Sequence, residues 1–376
     1  MNIDILKENL KKGLDVVERV TGKNLTLPIL NNVLLDTEKN FLKLSTTDLE
    51  VGVNYWVLAK VKKEGNITIP AKLFLNLINS LPDKDITLEE KNQVLNINCE
   101  NYEVKINGQL MDDFPIIPKI ETKEFIELNN EPFYKGLSQV VDFTSLNQSK
   151  PEISGVYFNL QKNILKIVTT DSFRLAEKTL HFKEGVNIDK EISFIIPQRT
   201  VRELINIISE KEEKIKMYLS TNQVLFELQL LEVNHPRVQL ISRLIEGKYP
   251  NYQEIIPKKY ETQVIVSREE FINQIKTTSL FSGKTNEIKI KVNTKKNKIE
   301  TFAQTAEIGE NKSEISAKIE GKDTETSFNS KFLLDGLLNI KSEEVIFGIN
   351  GTEGPAVLKP VGDTSYLYIV MPIKNN

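Results

Sequence analysis

Two segments of the chain alternate apolar and polar residues and share one tripeptide. They are FLKLSTTDLEVGV at 41–53 and ILKIVTTDSFRLA at 164–176. Alternation with a period of two is typical of half-buried strands. Each segment follows a further alternating stretch that ends in Lys-Asn, a pair common in turns. The pattern therefore predicts the same succession of strand, turn, strand, Thr-Thr-Asp and strand in two parts of the chain.

Helical periodicity recurs in the same order. Apolar residues spaced by three and four positions predict amphipathic helices before and after these strands. The copies are 8–20, 131–143 and 268–281 for the earlier helix, and 69–81, 196–208 and 327–340 for the later one. Pro70 and Pro197 stand at the entrance of the later helix, a position that suits proline, whereas the third copy has Asn329 there. The chain thus contains three copies of one plan, the third fainter than the others.

The repeat predicts three domains of about 125 residues, a usual domain size. Their expected bounds are 1–124, 125–253 and 254–376. Each copy has too few helices and too many hairpins for a parallel sheet. The predicted class is α+β, with antiparallel sheets and two helices packed on one face in every domain.

Composition limits the classes of protein that fit this plan. Of the 376 residues, 40% are apolar and 27% charged, as in globular proteins. The net charge of −3 argues against a strongly basic nucleic-acid binder, although a weak local DNA surface is compatible with it. The charged start MNIDILKENLKKGL predicts no signal peptide, and no apolar run is long enough to predict a membrane span. The one cysteine, Cys99, permits no intramolecular disulfide, which fits a reducing cytosol.

Motifs for catalysis are missing from the sequence. The two histidines, His181 and His235, are far apart, and one cysteine cannot supply the closely spaced ligands of a His/Cys metal site. No Walker loop, GxSxG elbow or GxGxxG motif occurs. Cys99 lies in an alternating segment and is expected to be a buried structural thiol. We therefore expect no catalytic residue, no metal and no cofactor in a protein that is not an enzyme.

Asp48 and Asp171, the last residues of the two tripeptides, are the remaining candidates for catalysis. Catalysis would need a partner acid, base or metal ligand near each one. A structural role needs only that the Asp side chain accepts backbone N–H bonds in a turn between strands. The repetition favours the structural role, because two domains are not expected to keep duplicate active sites with nothing else in common.

Seven short motifs, in order along the whole chain, resemble the β sliding clamps of bacterial DNA polymerase III. They are TLPILNNVLL at 26–35, TTDLEV at 46–51, IPAKLF at 69–74, DDFPIIP at 112–118, TTDSFRLA at 169–176, YPNYQEIIP at 249–257 and YIVMPIK at 368–374. The resemblance implies a DNA-clamp fold in which two chains close head to tail into a ring around duplex DNA. It also implies a processivity factor, without enzymatic activity, that tethers the replicative DNA polymerase.

The resemblance further implies which residues face DNA. The repeated helices would line the hole of the ring, and two loops would touch the duplex. Carried over to this chain, the DNA-facing residues are Lys7, Lys11, Lys12, Lys23, Asn24, Lys72, Lys135, Asn147, Gln148, Lys150, Arg199, Arg202, Lys276 and Lys331. The helical stretches carry only a slight excess of positive charge, so a solvated helix face accounts for any one of these lysines equally well.

A pocket for short peptide motifs of polymerases and repair proteins is implied between the second and third domains. Its residues would be Ile153, Thr170, Ser172, Phe173, Arg174, Leu175, Pro250, Glu254, Ile255, Val370, Met371, Pro372 and Ile373. Apolar side chains can form a slot, methionine adapts to different ligands, and Arg174 can orient a polar end. An edge strand packed on the core is the simpler interpretation of an apolar chain end.

Three departures from the family pattern affect this pocket. Ser172-Phe173 stands where the family commonly has Gly-His, and Gln253-Glu254 stands where it has basic residues. Glu254 reverses a local charge, which is expected to disfavour acidic partner motifs. The tail runs on as KNN, whereas the family usually ends in one basic and one apolar residue.

The implied dimer interface joins the first domain of one chain to the third domain of the other. Val104 and Ile106 would meet the region of Ser279 and Leu280, and two identical contacts would close the ring. Ser279 is less apolar than the usual residue of the family, which predicts a weaker interface.

The resemblance also implies the partners and the location. The partners are duplex DNA bound without sequence preference, a second copy of the chain, the replicative polymerase, a clamp loader, and other polymerases and mismatch-repair or ligase proteins with short clamp-binding motifs. The location is the bacterial cytoplasm at the nucleoid, with no membrane partner. Two alternatives stay open: a multi-domain protein–protein scaffold that does not encircle DNA, and a hydrolase that uses scattered carboxylates.

Overall fold

The computed structural model describes most of the chain. The described residues are 1–22, 27–122, 124–147, 149–182, 185–186, 188, 190–208, 214–230 and 235–374. Their backbone contacts group the chain into two compact units. Unit 1 comprises 1–134 and 199–245, and unit 2 comprises 135–198 and 246–376. Each unit therefore combines residues from two successive predicted domains.

The α-helices of the described residues lie where the periodicity predicts them, with one additional short helix. They are α1 Lys7–Val17, α2 Ala71–Ser80, α3 Asn130–Val140, α4 Pro151–Ser154, α5 Gln198–Ile207, α6 Arg268–Ser279 and α7 Ser330–Leu338. Only α4, a single turn that begins with proline, was not predicted.

The first helix of each repeat buries one side. In α1, Leu10, Leu14 and Val17 are fully buried, at the spacing of three and four that brings side chains onto one helix face. A 3-10 turn, Glu18–Val20, continues α1, and Val141–Phe143 continues α3 in the same way. The two copies of this helix therefore end alike.

Asn329 has a structural role at the start of α7. Its side chain accepts a hydrogen bond from the Lys331 backbone N–H at 3.0 Å, which makes Asn329 the N-cap of the helix. Asparagine is among the preferred N-cap residues, because it satisfies an N–H group without an intrahelical partner. The third copy therefore begins its later helix with a different device from Pro70 and Pro197.

Unit 1 contains two antiparallel sheets. The five-stranded sheet has the order β5 Lys60–Lys63, β1 Asn2–Leu6, β7 Asp85–Lys91, β8 Val94–Cys99 and β9 Tyr102–Asn107. The eight-stranded sheet has the order β10 Ile126–Asn129, β15 Lys214–Leu219, β16 Gln223–Gln229, β17 Pro236–Arg243, β4 Val51–Leu58, β3 Phe41–Thr47, β2 Asn32–Glu38 and β6 Asn66–Pro70.

Unit 2 also contains two antiparallel sheets. The nine-stranded sheet has the order β14 Ile192–Pro197, β11 Gly155–Leu160, β12 Ile164–Thr170, β13 Arg174–His181, β26 Tyr366–Val370, β25 Ala356–Pro360, β24 Glu344–Ile349, β18 Thr262–Ser267 and β22 Lys318–Gly321. The four-stranded sheet has the order β21 Gly309–Ser316, β20 Lys298–Thr305, β19 Glu287–Asn293 and β23 Thr324–Asn329.

The largest sheet of each unit joins two repeats through one pair of strands. In unit 1, β4 pairs with β17, and Val53 lies opposite Leu240. In unit 2, β13 pairs with β26, and Leu175 lies opposite Ile369. In both cases the strand after Thr-Thr-Asp pairs with the last strand of the following repeat. The backbone hydrogen bonds of a continuous sheet therefore hold consecutive repeats together.

Apolar side chains at the predicted strand and helix positions form the cores. In unit 2 the rings of Phe271 and Phe328 lie 5.6 and 5.9 Å from the ring of Phe347, and all three are fully buried. Each such side chain contributes about 1.5–3 kcal/mol by burial. Cys99 is also buried, as expected for a structural thiol, and burial raises the pKa of its thiol.

Candidate functional site

The first threonine of each Thr-Thr-Asp tripeptide ties a helix end to a sheet. The Thr46 hydroxyl donates to the Val17 carbonyl at 2.7 Å, and the Thr169 hydroxyl donates to the Val140 carbonyl at 2.6 Å. Val17 ends α1 and Val140 ends α3, where carbonyl groups lack intrahelical partners. Because both threonines are fully buried, these bonds are shielded from water.

The second threonine and the aspartate close the turn that follows. In the first copy, the Thr47 hydroxyl donates to the Val51 carbonyl at 2.8 Å. Asp48 Oδ1 accepts from the backbone N–H groups of Glu50 and Val51 at 3.0 and 2.8 Å. A carboxylate that satisfies two N–H groups in this way is a common turn device.

The second copy repeats these bonds. The Thr170 hydroxyl donates to the Arg174 carbonyl at 2.7 Å. Asp171 Oδ1 accepts from the backbone N–H groups of Phe173 and Arg174, both at 3.0 Å. The tripeptide is therefore a turn motif in both units, as its repetition predicted.

The residue after each aspartate has a left-handed backbone. Leu49 has φ of 79° and Ser172 has φ of 78°. Residues that carry a side chain rarely adopt this backbone conformation, whereas glycine adopts it without steric cost. This gives a physical reason for the glycine that commonly stands at the position of Ser172 in the family that the sequence resembles.

The second carboxylate oxygen of each aspartate binds an arginine. Asp48 Oδ2 lies 2.5 Å from Arg199 Nη1, and Asp171 Oδ2 lies 2.9 Å from Arg174 Nε. Both aspartates are thus fully engaged in structural bonds. Within the described part of the chain, no group of three His, Cys, Asp or Glu side chains is arranged to hold a metal ion.

The turn role of Asp48 predicts different effects for two substitutions. Asp48→Ala removes the acceptor of two backbone N–H groups and should lower the free energy of unfolding by about 1–2 kcal/mol. Asp48→Asn keeps an acceptor oxygen and loses only the ion pair with Arg199, a half-exposed side chain, so it should cost about 0.5 kcal/mol. Urea denaturation of the two variants measures the difference. Equal losses would contradict the turn role.

The candidate pocket residues of β13 and β26 are brought together by strand pairing. Arg174 lies opposite Val370, and the Met371 backbone N–H donates to the Phe173 carbonyl at 2.8 Å. Beyond the strand, the Ile373 N–H donates to the carbonyl of Ser327 at 2.8 Å. The end of the chain is therefore held beside the turn that follows Asp171.

Arg174 is enclosed by four side chains of unit 2. It forms ion pairs with Asp171 and Asp335. Its guanidinium also lies over the rings of Phe143 and Phe332, 5.0 and 4.5 Å from their centroids. Cation–π and ion-pair contacts of this kind fix an arginine side chain. These contacts indicate that Arg174 stabilises the pocket wall, and that it is less suited to donate hydrogen bonds to a ligand.

Three tyrosines attach the 249–255 segment to the sheet. The rings of Tyr157 and Tyr249 stack at 4.5 Å, and the Tyr252 hydroxyl donates to Glu177 at 2.6 Å. Burial raises the pKa of both Tyr249 and Tyr252, so both hydroxyls stay protonated at neutral pH. The segment that carries Pro250, Glu254 and Ile255 is thereby anchored across β11 and β13.

The candidate pocket residues divide into buried supports and exposed contacts. The buried ones are Ile153, Thr170, Leu175, Val370 and Pro372, whereas Ser172, Phe173, Pro250, Glu254 and Ile255 are exposed and Arg174, Met371 and Ile373 are half-buried. Phe173 is 62% exposed and Ile255 43% exposed, as several other large apolar side chains of the described residues are. Exposed apolar side chains on an anchored surface are typical of sites that bind an apolar partner.

Comparison with known proteins decides the family. Residues 1–118, 127–251 and 253–374 match, in order, the N-terminal, central and C-terminal domains of the DNA polymerase III beta subunit. The beta sliding clamp of Staphylococcus aureus is 30% identical over 384 residues, an alignment that covers 100% of this chain and 99% of that protein. The chain belongs to the β sliding clamp family. The resemblance found in the sequence is therefore confirmed.

Solved structures of sliding clamps have the same fold. The DNA polymerase sliding clamp from Bacillus subtilis superposes with a TM-score of 0.93 at 24% identity. The DNA polymerase III beta subunit from Thermotoga maritima superposes with a TM-score of 0.90 at 25% identity, and both comparisons cover 100% of each chain. The three-domain α+β clamp fold predicted from the repeat is thus confirmed. The boundaries at 124/125 and 253/254 stay a prediction.

The helices of the described residues include none that is long and apolar enough to cross a membrane.

The residues expected to face DNA in this clamp fold are mostly exposed on helices. Lys11, Lys72, Lys135, Arg202, Lys276 and Lys331 are exposed helical residues, and Asn147 and Lys150 are exposed in the loop before α4. Protein groups hold Lys7, Lys12 and Arg199: Lys7 Nζ donates to the Leu81 carbonyl at 2.5 Å, Lys12 pairs with Glu8 at 2.5 Å, and Arg199 pairs with Asp48. Lys23, Asn24 and Gln148 lie outside the described residues.

The residues expected at the clamp dimer interface lie at two different kinds of position. Leu280, directly after α6, is 69% exposed. Ser279 is half-buried, and its hydroxyl donates to the Lys276 carbonyl at 2.7 Å. Val104 and Ile106 belong to β9, where Val104 is half-buried and Ile106 is only 6% exposed. Ile106 therefore packs mainly within its own chain, and Leu280 is the more accessible of these side chains.

Sequence reasoning did not find the side chains that surround Arg174. Asp335 and Phe332 come from α7, more than 150 positions later in the chain, and no motif links them to Arg174. The contact of Tyr157 with Tyr249 and Tyr252 was not predicted either, although both of the latter lie in the motif at 249–257. The signal in the sequence that pointed to Tyr157 was an aromatic residue at a position of a predicted strand that would face solvent.

Proposed function

We propose that the protein is a DNA sliding clamp. Two chains close head to tail around duplex DNA, and the ring tethers the replicative DNA polymerase for processive synthesis. It has no catalytic residue of its own and acts by topology and by docking partners. Membership of the β sliding clamp family over the full chain supports this function. The bacterial cytoplasm, at the nucleoid, is the corresponding place of action.

The observation that supports closure into a ring is that consecutive repeats are joined twice by the same kind of strand pairing. Twice, the strand after the Thr-Thr-Asp turn pairs with the last strand of the following repeat, as β4 with β17 and β13 with β26. In the third repeat the equivalent of β4 and β13 is β21, and in the first repeat the equivalent of β17 and β26 is β9. Among the described strands, β9 and β21 each stand at the edge of a sheet with one neighbour.

Pairing β21 of one chain with β9 of another would form a third junction of the same kind. An exposed strand edge offers unpaired N–H and C=O groups, which favours such an addition. The contact is heterologous, because it joins different surfaces, and two copies of it close a ring of two chains. Val104 and Ile106 of β9 would then come near Ser279 and Leu280, as the family resemblance implies.

The DNA-facing surface is proposed on the basic side chains of the helices. Direct contacts would come from exposed residues such as Lys11, Lys72, Lys276 and Lys331. Lys7, Lys12 and Arg199 already have protein partners, so they would contribute mainly to the local potential. A ring needs only a weak phosphate-tolerant lining, which reconciles DNA binding with the net charge of −3.

The partner-binding pocket is proposed on the surface around Phe173, Ile255, Met371 and Ile373. Its occupants are short, partly apolar motifs of the replicative polymerase, the clamp loader, and other polymerases and repair proteins. The exposed apolar side chains would contact such a motif, while Arg174 and the three tyrosines hold the wall in place. Glu254 replaces a basic residue of the family and would make the rim less favourable to acidic motifs.

The experiment that tests this function is retention on closed circular DNA. A ring that is topologically linked to DNA stays on the circle at salt concentrations that remove phosphate contacts, and it leaves when the circle is cut. A protein held by phosphate contacts is released by salt and is not released by cutting the circle. Release by salt that is equal on circular and linear DNA would overturn the proposed function.

A further inference from the structure

Unit 1 contains a cavity of about 770 Å³ between its eight-stranded sheet and the segment that leaves β9, residues 111–120. We name it the linker cavity. Its floor includes Asp36, Lys43 and Trp56 from the outer side of β2, β3 and β4. None of the residues that form the β13–β26 surface contributes to it. The linker cavity is therefore separate from the proposed partner-binding pocket.

The repeat explains why this space is open in unit 1. In unit 2 the corresponding strand carries Tyr157, on which Tyr249 and Tyr252 of the following segment pack. In unit 1 the residue equivalent to Tyr157 is Leu34, since Leu34 lies opposite Ser45 as Tyr157 lies opposite Val168. Two aromatic rings fill the space in one copy, and smaller side chains leave it open in the other.

The segment above the cavity is nevertheless held in place. Phe114 is 7% exposed and lines the cavity. Ile117 lies over Gly52, with Cγ2 only 2.9 Å from the point where a Cβ on residue 52 would stand. Any side chain at Gly52 would therefore push the segment away. The cavity has a fixed roof as well as a fixed floor.

The polar floor of the cavity carries two carboxylates, and only that of Glu38 has an ion-pair partner among the described residues. Glu38 accepts hydrogen bonds from Lys43 Nζ at 3.0 Å and from Trp56 Nε1 at 2.9 Å, so its charge is balanced. Asp36 lies on the same side of β2, and among the described residues no basic side chain forms an ion pair with it. Burial is the main cause that raises the pKa of the Asp36 carboxyl, and the charge of Glu38 adds to it, whereas the charge of Lys43 partly offsets both.

Apolar residues supply the larger part of the lining, and Asp112, Lys119 and Gln239 are polar members of it. Leu34, Phe114, Ile117, Leu225 and Ile241 all line the cavity. A cavity of several hundred Å³ that is lined mainly by apolar residues with some polar groups is typical of a ligand site. The lining has three acidic residues, Asp36, Glu38 and Asp112, and two basic ones, Lys43 and Lys119, so an apolar ligand with one cation complements it.

We propose that the linker cavity binds a short segment of another protein in which a basic side chain stands between two apolar ones. The cation lies against Asp36, and the apolar side chains lie against Leu34 and Ile241. The floor residues come from five neighbouring strands, β16, β17, β4, β3 and β2, a span of about 19 Å, which suits an extended segment better than a compact metabolite. The site would give this clamp a second docking position that its other strand junction lacks, because Tyr157 and Tyr252 occupy the corresponding space there.

The test uses Trp56, the single tryptophan of the chain, as the reporter. The full-length protein is titrated with the probe acetyl-Leu-Arg-Leu-amide, and Trp56 fluorescence is recorded. The expected result is a saturable change. The neutral probe with citrulline in place of arginine should bind about ten- to a hundredfold more weakly, since a charged hydrogen bond is lost. Methylguanidine, which carries the cation without apolar neighbours, should not saturate over the same range.

Two variants locate the binding. Asp36→Asn introduces the residue that stands at the equivalent position 159, and it should weaken the arginine probe by the same factor as citrulline does. Leu34→Tyr introduces the tyrosine of position 157 and should abolish the change by filling the cavity. Met371→Ala, in the other pocket, should leave the titration unchanged, which separates this proposal from the proposed function.

Three results would overturn the proposal: no saturable change, equal binding of the arginine and citrulline probes, or full affinity in Asp36→Asn. If Leu34→Tyr does not fold, as judged by its circular dichroism, the Asp36→Asn titration still decides. Saturation by methylguanidine at the peptide's concentrations would overturn the assignment to a protein segment.

Discussion

Leu280→Asp is expected to convert the dimeric protein into soluble monomers. Leu280 is 69% exposed in the single chain, so a charge there is tolerated by the fold. In the proposed ring the same side chain is covered by β9 of the second chain. An aspartate there would be buried without a partner at both contacts, at a cost of about 3 kcal/mol each, which weakens each contact roughly a hundredfold.

Analytical ultracentrifugation at micromolar concentration measures this effect. The wild-type protein should sediment with twice the chain mass of 43.0 kDa, and the variant with the mass of one chain. Leu58→Asp is the matched control, because Leu58 is a similarly exposed leucine on β4, away from the proposed contact. A dimeric Leu280→Asp protein, or a monomeric control, would place the interface elsewhere. Ile106→Asp is a poorer probe, because Ile106 is buried in its own chain.

Loss of the chain end is expected to abolish partner-peptide binding. In a protein with Met371→Ala and without residues 372–376, three apolar side chains, those of Met371, Pro372 and Ile373, disappear from the proposed pocket. A partly apolar peptide should then bind at least roughly a hundredfold more weakly, as when central contacts of an interface are removed. The fold should persist, because β26 ends at Val370 and keeps its pairing with β13 and β25.

Fluorescence anisotropy with a labelled peptide from the cognate replicative polymerase measures this loss. The circular dichroism and sedimentation of the variant should match those of the wild type. Leu58→Ala removes an exposed apolar side chain from unit 1 and should keep full affinity. Unchanged affinity in the truncated protein would show that Met371 and the tail take no part in the pocket.

Periodicity predicted the elements of this fold well. The alternation around Thr-Thr-Asp and the helical spacing of 8–20 and 131–143 depend on local burial, which sequence expresses directly. The turn role of the tripeptide was also predictable, because its aspartate and its second threonine bond to backbone groups only two to four positions away. The bonds of the first threonine, Thr46 to Val17 and Thr169 to Val140, reach 29 positions back along the chain and were not predicted.

Contacts between distant parts of the chain were not predictable from periodicity. Arg174 suits a ligand-facing role by residue type, yet it is bound by Asp335 and stacked on Phe332 from a helix much later in the chain. Ile106, which the resemblance places at the dimer interface, is only 6% exposed in the single chain, and its sequence does not reveal that burial. The linker cavity depends on the absence of an aromatic ring at Leu34, where the second copy has Tyr157, and a missing ring leaves no pattern in the sequence.

Retention on DNA tests the central claim most directly. The protein is loaded by its cognate clamp loader onto a nicked circular plasmid, the salt concentration is raised, and the circle is then cut. A protein held by about six to ten phosphate contacts loses roughly a thousandfold or more in affinity over a modest rise in salt, and it does not depend on DNA ends. Leu280→Asp serves as the control that cannot close a ring.

We expect the wild-type protein to stay on the circle in high salt and to leave when the circle is cut, and the variant to be lost at once. Salt-sensitive binding that is equal on circular and linear DNA, with no difference between wild type and Leu280→Asp, would contradict a closed sliding ring.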